Sequence, residues 1–187
     1  MKFARSSHYM NNIAIRSPRL LVRRFTSADG NDFAEILTDS ETVFYEPYEV
    51  FTQEQAIAEA EKFSHDERFF AVEHQETGKM IGKLYFSNES FSNTYEIGYT
   101  FNRQYWNQGY ASEAVRAFLQ YAFTEMQVTR ICAIANVKNQ RSCHLLEKLG
   151  FQKEGVFLEN AYQLPSNENN IFCYYSMLKN CLSVGFG

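Results

Sequence analysis

Residues 104–126 read QYWNQGYASEAVRAFLQYAFTEM, and the way this stretch enters a helix decides how the chain around it is organised. Ala111, Ala114, Val115, Phe118, Leu119, Ala122, Phe123 and Met126 follow the i, i+3, i+4, i+7 spacing of one helical face. A long amphipathic helix is therefore predicted after Gly109. Helices commonly begin behind a residue whose side chain satisfies a backbone N–H of the first turn. Here Tyr105 and Trp106 run through Asn107 and Gln108 into Gly109, with no Ser, Thr or Asp ahead of the helix. The first turn then presents about four free N–H groups and roughly half a positive charge. An anion can take the place of the missing cap. Gly109 allows a ligand close to the backbone, and Ala111 and Ser112 keep the next turn uncluttered. No Lys-Ser/Thr follows the glycine and no G-x-G-x-x-G is present, so neither the Walker A loop nor the dinucleotide fingerprint applies. A helix start capped by water satisfies the same residues.

Outward from this helix the pattern changes to period two. In TYEIGYTF (94–101), Tyr95, Ile97, Tyr99 and Phe101 share one face, and Glu96, Gly98 and Thr100 the other. RICAIANV (130–137) reads as a buried strand. With the helix between them, these strands form a β-α-β crossover and should run parallel. Earlier, RLLVRRF (19–25) is β-type. Thr26 or Ser27 can cap a helix with Phe33, Ile36 and Leu37 inward. Residues 38–48 are irregular and aromatic. Thr52 can cap TQEQAIAEAEKF, in which Ala56, Ile57, Ala60 and Phe63 share a face. FFAVEH (69–74) and KMIGKLYFS (79–87) are joined by the turn Gln75–Gly78 and should pair antiparallel. Asn139–Leu149 is a helix with Leu145, Leu146 and Leu149 inward and Gly150 as its stop. Two β-type runs, 151–158 and 171–178, close the chain around a polar loop, 159–170. The order β-α-α-β-β-β-α-β-α-β-β specifies a mixed α/β domain on one central sheet of about seven strands with about four helices.

The bulk properties narrow the function classes. At 187 residues and 45% apolar content the chain supports one well-buried core, so residues 13–187 are expected to be one domain behind a flexible leader, 1–12. A net charge of −4 argues against a nucleic-acid partner, since such proteins usually carry a basic face. No apolar run reaches the roughly 18–20 residues that span a bilayer, so no membrane partner is expected. The N-terminus has no hydrophobic segment of a secretory signal, and a cytoplasmic protein is expected. Cys132, Cys143, Cys173 and Cys181 show no C-x-x-C spacing and read as reduced thiols rather than zinc ligands. His8, His65, His74 and His144 do not cluster, and no metal is expected.

The stretches YEIGYTFNRQYWNQGYASEA (95–114) and NVKNQRSCHLLEKLGF (136–151), with RSPRLLVRRFTSADG (16–30) ahead of them, resemble the GNAT superfamily of acetyl-CoA-dependent N-acetyltransferases. The likeness is greatest to the Rim-type branch, which acetylates ribosomal-protein N-termini and includes relatives acting on small amines. The resemblance implies a GNAT-like mixed sheet and acetyl-CoA as cosubstrate. The superfamily's signature, Gln/Arg-x-x-Gly-x-Gly/Ala, falls on Trp106–Ala111. Gly109 and Ala111 match, and Trp106 departs from Gln or Arg. The resemblance thus assigns the free N–H groups of Asn107, Gln108, Gly109, Tyr110, Ala111 and Ser112 to the pyrophosphate of coenzyme A. It also implies that the strands ending near Phe101 and Asn136 splay apart around the pantetheine arm, with Phe101 and Asn102 as backbone contacts. Asn139 and Ser142 match the family's Asn-x-x-Ser beside the thioester.

Direct transfer to an amine requires a base, because amines are mostly ammonium at neutral pH, and a group near the leaving thiolate. Glu96 is expected to be the base, directly or through a water, and Ser142 the group near the sulfur. A polar residue on an exposed sheet face and an ordinary helix-start serine are the structural alternatives. An N–H of strand 94–101 is expected to meet the developing oxyanion. The tyrosine that many members place four residues after Ser142 is Leu146 here. Glu113 reads as a partner of the helix dipole, Trp106 as a packing wedge and Cys143 as an inert thiol. The acceptor should enter between segments 38–52, with Phe44, Tyr45, Glu46, Tyr48 and Glu49, and 159–170, with Glu159, Tyr162 and Glu168. These acidic and aromatic groups suit a cationic amine. A protein N-terminus, a small amine such as a polyamine or aminoglycoside, and a non-catalytic acyl-CoA-binding module are the three functions carried forward. Homodimers are common in the Rim-type branch, and no surface stripe in the sequence demonstrates one.

Overall fold

The structure, a computed structural model, describes residues 13–89, 93–158 and 171–180. The leader, the 159–170 loop with its Glu159, Tyr162 and Glu168, His8 and Cys181 lie outside the described residues. Among the described residues eight strands form one sheet: β1 (Ala14–Arg16), β2 (Leu20–Arg24), β3 (Phe69–His74), β4 (Met80–Asn88), β5 (Thr94–Phe101), β6 (Arg130–Asn136), β7 (Gln152–Leu158) and β8 (Ile171–Leu178). The described residues also form four α-helices that flank it: α1 (Gly30–Leu37), α2 (Gln53–Ser64), α3 (Tyr110–Thr124) and α4 (Gln140–Lys148). The strand order is β1-β2-β3-β4-β5-β6-β8-β7. Every pairing is antiparallel except β5 with β6, as the crossover requires. The strand beyond the seven read from sequence is β1, three residues too short to show a period, which pairs with β2.

Alternation along the strands divides the interior into two cores. In β3, Phe70 and Val72 join the core under α3, while Ala71 joins the one under α1 and α2. Phe118 of α3 packs against both Phe70 and Phe86, each with ring centroids 5.0 Å away. Burying aromatic side chains of this kind contributes about 1.5–3 kcal/mol each, which outweighs the weak helix propensity of phenylalanine. Leu146 and Leu149 bring α4 onto the same core as α3. The second core stacks Phe25, Phe33, Phe63 and Phe69 around Ala56 and Ala60. Ile57 departs from its expected inward face: it is 39% exposed and rides over Gly30, whose missing side chain leaves it room.

The sheet opens at one seam. β5 and β6 pair only over Thr94↔Arg130, Tyr95↔Ile131 and Glu96↔Cys132. Beyond Glu96, β5 stays with β4 as far as Phe101↔Gly82, and β6 stays with β8 as far as Asn136↔Phe172. Each strand follows its antiparallel neighbour, and a V-shaped opening is left between 97–101 and 133–136.

Candidate active site

The opening is the floor of a cleft of about 920 Å³. Residues 96–101 of β5 line one side and 133–136 of β6 the other. One edge of each strand lacks a strand partner there, so its polar backbone groups are available to a ligand with amides of its own.

The mouth of the cleft is the turn into α3. Asn107 (φ 60°) and Gly109 (φ 82°) are both left-handed, and no side chain caps the helix. Two such residues in three turn successive amides toward one concave side, an arrangement suited to an anion. The turn is braced from behind. Glu113 accepts bonds from the Arg19 N–H and the Ser17 hydroxyl, both at 2.8 Å, and from Arg19 Nε at 2.7 Å. Arg19 Nη1 donates to the Gln108 carbonyl at 3.1 Å, and the guanidinium lies 4.1 Å from the Tyr110 ring centre. Glu113 thus anchors the helix start to the β1–β2 connection as well as facing the dipole.

Glu96 is the last β5 residue paired with β6, which puts its side chain at the apex of the opening, on the face away from α3. Its pKa is raised to about 7, first by burial and then by the charge of nearby Glu89 and a hydrogen bond with it. On the opposite face of β5, the Tyr99 hydroxyl lies 2.9 Å from Ser142 Oγ, and burial pushes the phenol's pKa up. Asn139 caps α4 by accepting the Ser142 N–H at 3.2 Å, which fixes where that serine sits.

A second wall comes from the segment between α1 and α2. Thr100 donates to Glu46 at 2.7 Å, and buried Lys83 lies 3.0 Å from Tyr48 Oη and 3.7 Å from the other Glu46 oxygen. Burial opposes the lysine's charge, but the Tyr48 and Glu46 oxygens outweigh it and raise its pKa. Burial also pushes Tyr48 up to about 12. Tyr45 Oη reaches the Lys138 carbonyl at 3.2 Å and links this wall to the β6–α4 connection.

Of the residues singled out from sequence, Glu96, Phe101, Asn107, Gly109, Tyr110, Ala111, Ser112, Asn139 and Ser142 all line this cleft, and Asn102 and Gln108 do not. The Asn102 N–H is bound to Ile81 O, and its side chain bridges Gln104 N–H and Glu35. Phe101 O already accepts the Trp106 indole N–H at 2.8 Å. Trp106 therefore pins the end of β5 as well as packing, and its ring carries the Arg141 guanidinium at 3.8 Å from its centre. Tyr99, Lys83 and Arg141 escaped the sequence reading. Alternation placed Tyr99 on the apolar face, and nothing local marks its contact with a residue 43 positions away. Cys143 is buried with Sγ 3.7 Å from Asn136 O. Exposed His144 lies on the cleft rim. Among the described residues no three or more His, Cys, Asp or Glu side chains gather as a metal site, and no helix is long and apolar enough to cross a membrane.

Comparison with known proteins agrees with this geometry. Residues 19–152 match the acetyltransferase (GNAT) domain family. The uncharacterized N-acetyltransferase YnaD of Bacillus subtilis is 39% identical over 144 residues, 76% of this chain and 85% of that protein. The putative ribosomal N-acetyltransferase YdaF of Bacillus subtilis is 29% identical over 103 residues, 54% of this chain and 55% of that protein. A crystal structure of a GNAT-family acetyltransferase from Bacillus anthracis superposes with a TM-score of 0.82 at 35% identity, covering 89% of this chain and 99% of that one.

Proposed function

The chain belongs to the GNAT acetyltransferase family and is an acetyl-CoA-dependent N-acetyltransferase, and from that premise we propose that its acceptor is the N-terminal amine of a protein. The observation that carries the assignment of the site is the seam itself. One continuous cleft joins a capless helix start, two unpaired strand edges and a carboxylate at the apex.

Acetyl-CoA supplies the acetyl group as an activated thioester. The backbone from Asn107 to Ser112 would hold its pyrophosphate, and the free edges of β5 and β6 its pantetheine amides. Glu96 takes a proton from the acceptor's ammonium, directly or through a water, and the lone pair so freed attacks the thioester carbon. A carboxylate with a pKa near 7 is matched to that task, being half ionised at neutral pH and basic enough to draw the proton. An N–H on the unpaired edge of β5 donates to the carbonyl oxygen as charge builds there. Ser142 Oγ, held by Tyr99, hydrogen-bonds the departing sulfur, so the pair does the work for which Leu146 lacks a hydroxyl. The attack transfers the acetyl group in one displacement, and no protein nucleophile is required. Buried thiols at Cys132, Cys143 and Cys173 support a cytoplasmic setting.

The ribosomal reading is supported by the name of the YdaF relative and by the aromatic and acidic side chains, Tyr45, Glu46 and Tyr48, that line the second wall. A second reading rests on Glu46, which Thr100 and Lys83 hold as a fixed carboxylate in that wall and which suits an acceptor with a second positive charge. Free-thiol release from acetyl-CoA, measured with N-terminal peptides, spermidine and an aminoglycoside, separates these readings. Turnover with peptides alone supports the first and turnover with spermidine alone the second. No release with any amine, with coenzyme A still bound, would replace both by a binding module.

A further inference from the structure

A ligand carrying phosphates brings several negative charges to a chain whose own net charge is −4, so the cations near the cleft are worth accounting for singly. Lys62 is paired with Glu59 at 2.7 Å, Arg68 with Asp66 at 2.6 Å, and Lys83 with Tyr48 and Glu46. Arg19, behind the turn into α3, is held by Glu113. Arg141 is different. Its guanidinium is stacked 3.8 Å from the centre of the Trp106 ring, and among the described residues it makes no hydrogen bond or ion pair. Lys148 also lines the cleft, but it lies seven residues further along α4, roughly 10 Å from Arg141 along the axis.

The platform under Arg141 is rigid. The indole N–H of Trp106 is bonded to Phe101 O at 2.8 Å, so the ring is fixed to the end of β5. A guanidinium is planar by itself, and one held over a fixed ring has already lost part of the entropy of ordering a long side chain before any ligand arrives. Trp106 directly precedes Asn107, where the left-handed turn begins, and Arg141 directly precedes Ser142 in α4. Both residues line the same cleft as Asn107, Gly109 and Ser112.

We infer that the Arg141 guanidinium, held over the Trp106 ring, is the side-chain cation that receives the pyrophosphate of coenzyme A at the 107–112 turn. The inference rests on the acetyl-CoA site proposed above. It adds a charged, planar donor to a cradle otherwise made of backbone N–H groups, and such a fork fits two phosphate oxygens at once. It also makes Trp106, the one tryptophan of the chain, a reporter of ligand arrival.

Coenzyme A, 3′-dephospho-coenzyme A and pantetheine are titrated into wild type, Arg141→Gln and Arg141→Lys, followed by Trp106 fluorescence and by calorimetry. Arg141 is exposed, and thermal unfolding of each variant reports whether the fold is kept. The expected result is a loss of coenzyme A affinity on the order of ten- to a hundredfold in Arg141→Gln. Arg141→Lys recovers part of it, 3′-dephospho-coenzyme A shows the same loss, and pantetheine shows none. Wild-type affinity in Arg141→Gln would reduce Arg141 to a packing partner of Trp106 and overturn the inference while leaving the site intact. A loss that disappears with 3′-dephospho-coenzyme A would move the guanidinium to the 3′-phosphate and overturn the pyrophosphate assignment. Full recovery in Arg141→Lys would overturn the role of the stack. Folded wild type that binds no coenzyme A would remove the acetyl-CoA site, and this inference with it.

Discussion

The phenol oxygen of Tyr99 lies 2.9 Å from the hydroxyl of Ser142, and this bond ties β5 to α4 across the open seam of the sheet. Tyr99→Phe keeps the ring and removes the bond. Its kcat should fall roughly tenfold, the cost of one ordinary hydrogen bond, with the KM for acetyl-CoA nearly unchanged. Ser142→Ala should fall by as much or more. The two losses should combine to less than their product, because both variants break one unit. Steady-state kinetics on the two single variants and the double variant check this. Multiplicative losses would mean that the pair does not act together.

As the proposed base, Glu96 should set the pH dependence. Only its ionised form accepts a proton, so kcat/KM should rise with pH through an apparent pKa of about 7 and then level off. Glu96→Gln should lower kcat/KM by roughly 10²- to 10⁴-fold and leave coenzyme A binding unchanged. Glu89→Gln removes a neighbouring negative charge and should move the limb to lower pH, but not to the ordinary glutamate range, because burial remains the largest cause. An unshifted limb in Glu89→Gln would remove Glu89 from the account.

The same carboxyl links folding to pH. Its pKa is higher in the folded protein than in the unfolded chain, so the folded state holds the extra proton. The stability this provides is complete below the ordinary glutamate range and is lost as pH rises through about 7. Glu96→Gln, which never ionises, should therefore gain in melting temperature relative to wild type between about pH 5 and about pH 8. Parallel melting curves at the two ends would show that the group's ionisation is not linked to folding.

Gly109 has room for a side chain but not the backbone for one. A Cβ there would lie 3.5 Å from Arg19 Nη2, an ordinary contact, yet φ is +82°. Gly109→Ala should cost about 1 kcal/mol, or a melting temperature lower by about 2–4 °C, through conformation alone. Gly109→Glu puts a negative charge on the cradle and should abolish coenzyme A binding in calorimetry. Undiminished binding in that variant would place the phosphates elsewhere.

Gly82 holds the end of β5 in place by having no side chain. A Cβ there would fall 2.5 Å from Phe101 Cδ1, and Phe101 is buried. Gly82→Ala must move the ring and should destabilise the protein by about 1–3 kcal/mol. Because Phe101 O carries the Trp106 indole, tryptophan emission should shift as well. Unchanged emission and stability would mean that the β4–β5 pair absorbs the methyl group elsewhere.

The sequence by itself determined the elements and most of their order. Periodicity is a property of neighbours along the chain, and it located α3, the β5–α3–β6 crossover and the capless helix start at Gly109. It also put Glu96 on the face of β5 opposite the apolar set, where the structure has it. Three-residue β1 lay below the length at which a period can be read, and Ile57 followed the helical pattern yet lies over Gly30 rather than inside. Tertiary structure alone decided where β5 and β6 part, because that point depends on how far each strand is held by its other neighbour. It alone brought Tyr99 to Ser142, Thr100 to Glu46 and Arg141 to Trp106, pairs separated by 43, 54 and 35 residues. A strand's alternation says which face a side chain takes, but not which helix will cover that face. The chemistry of the cleft depends on those partners, since burial and neighbouring charge, not residue type, raise Glu96 to a pKa of about 7.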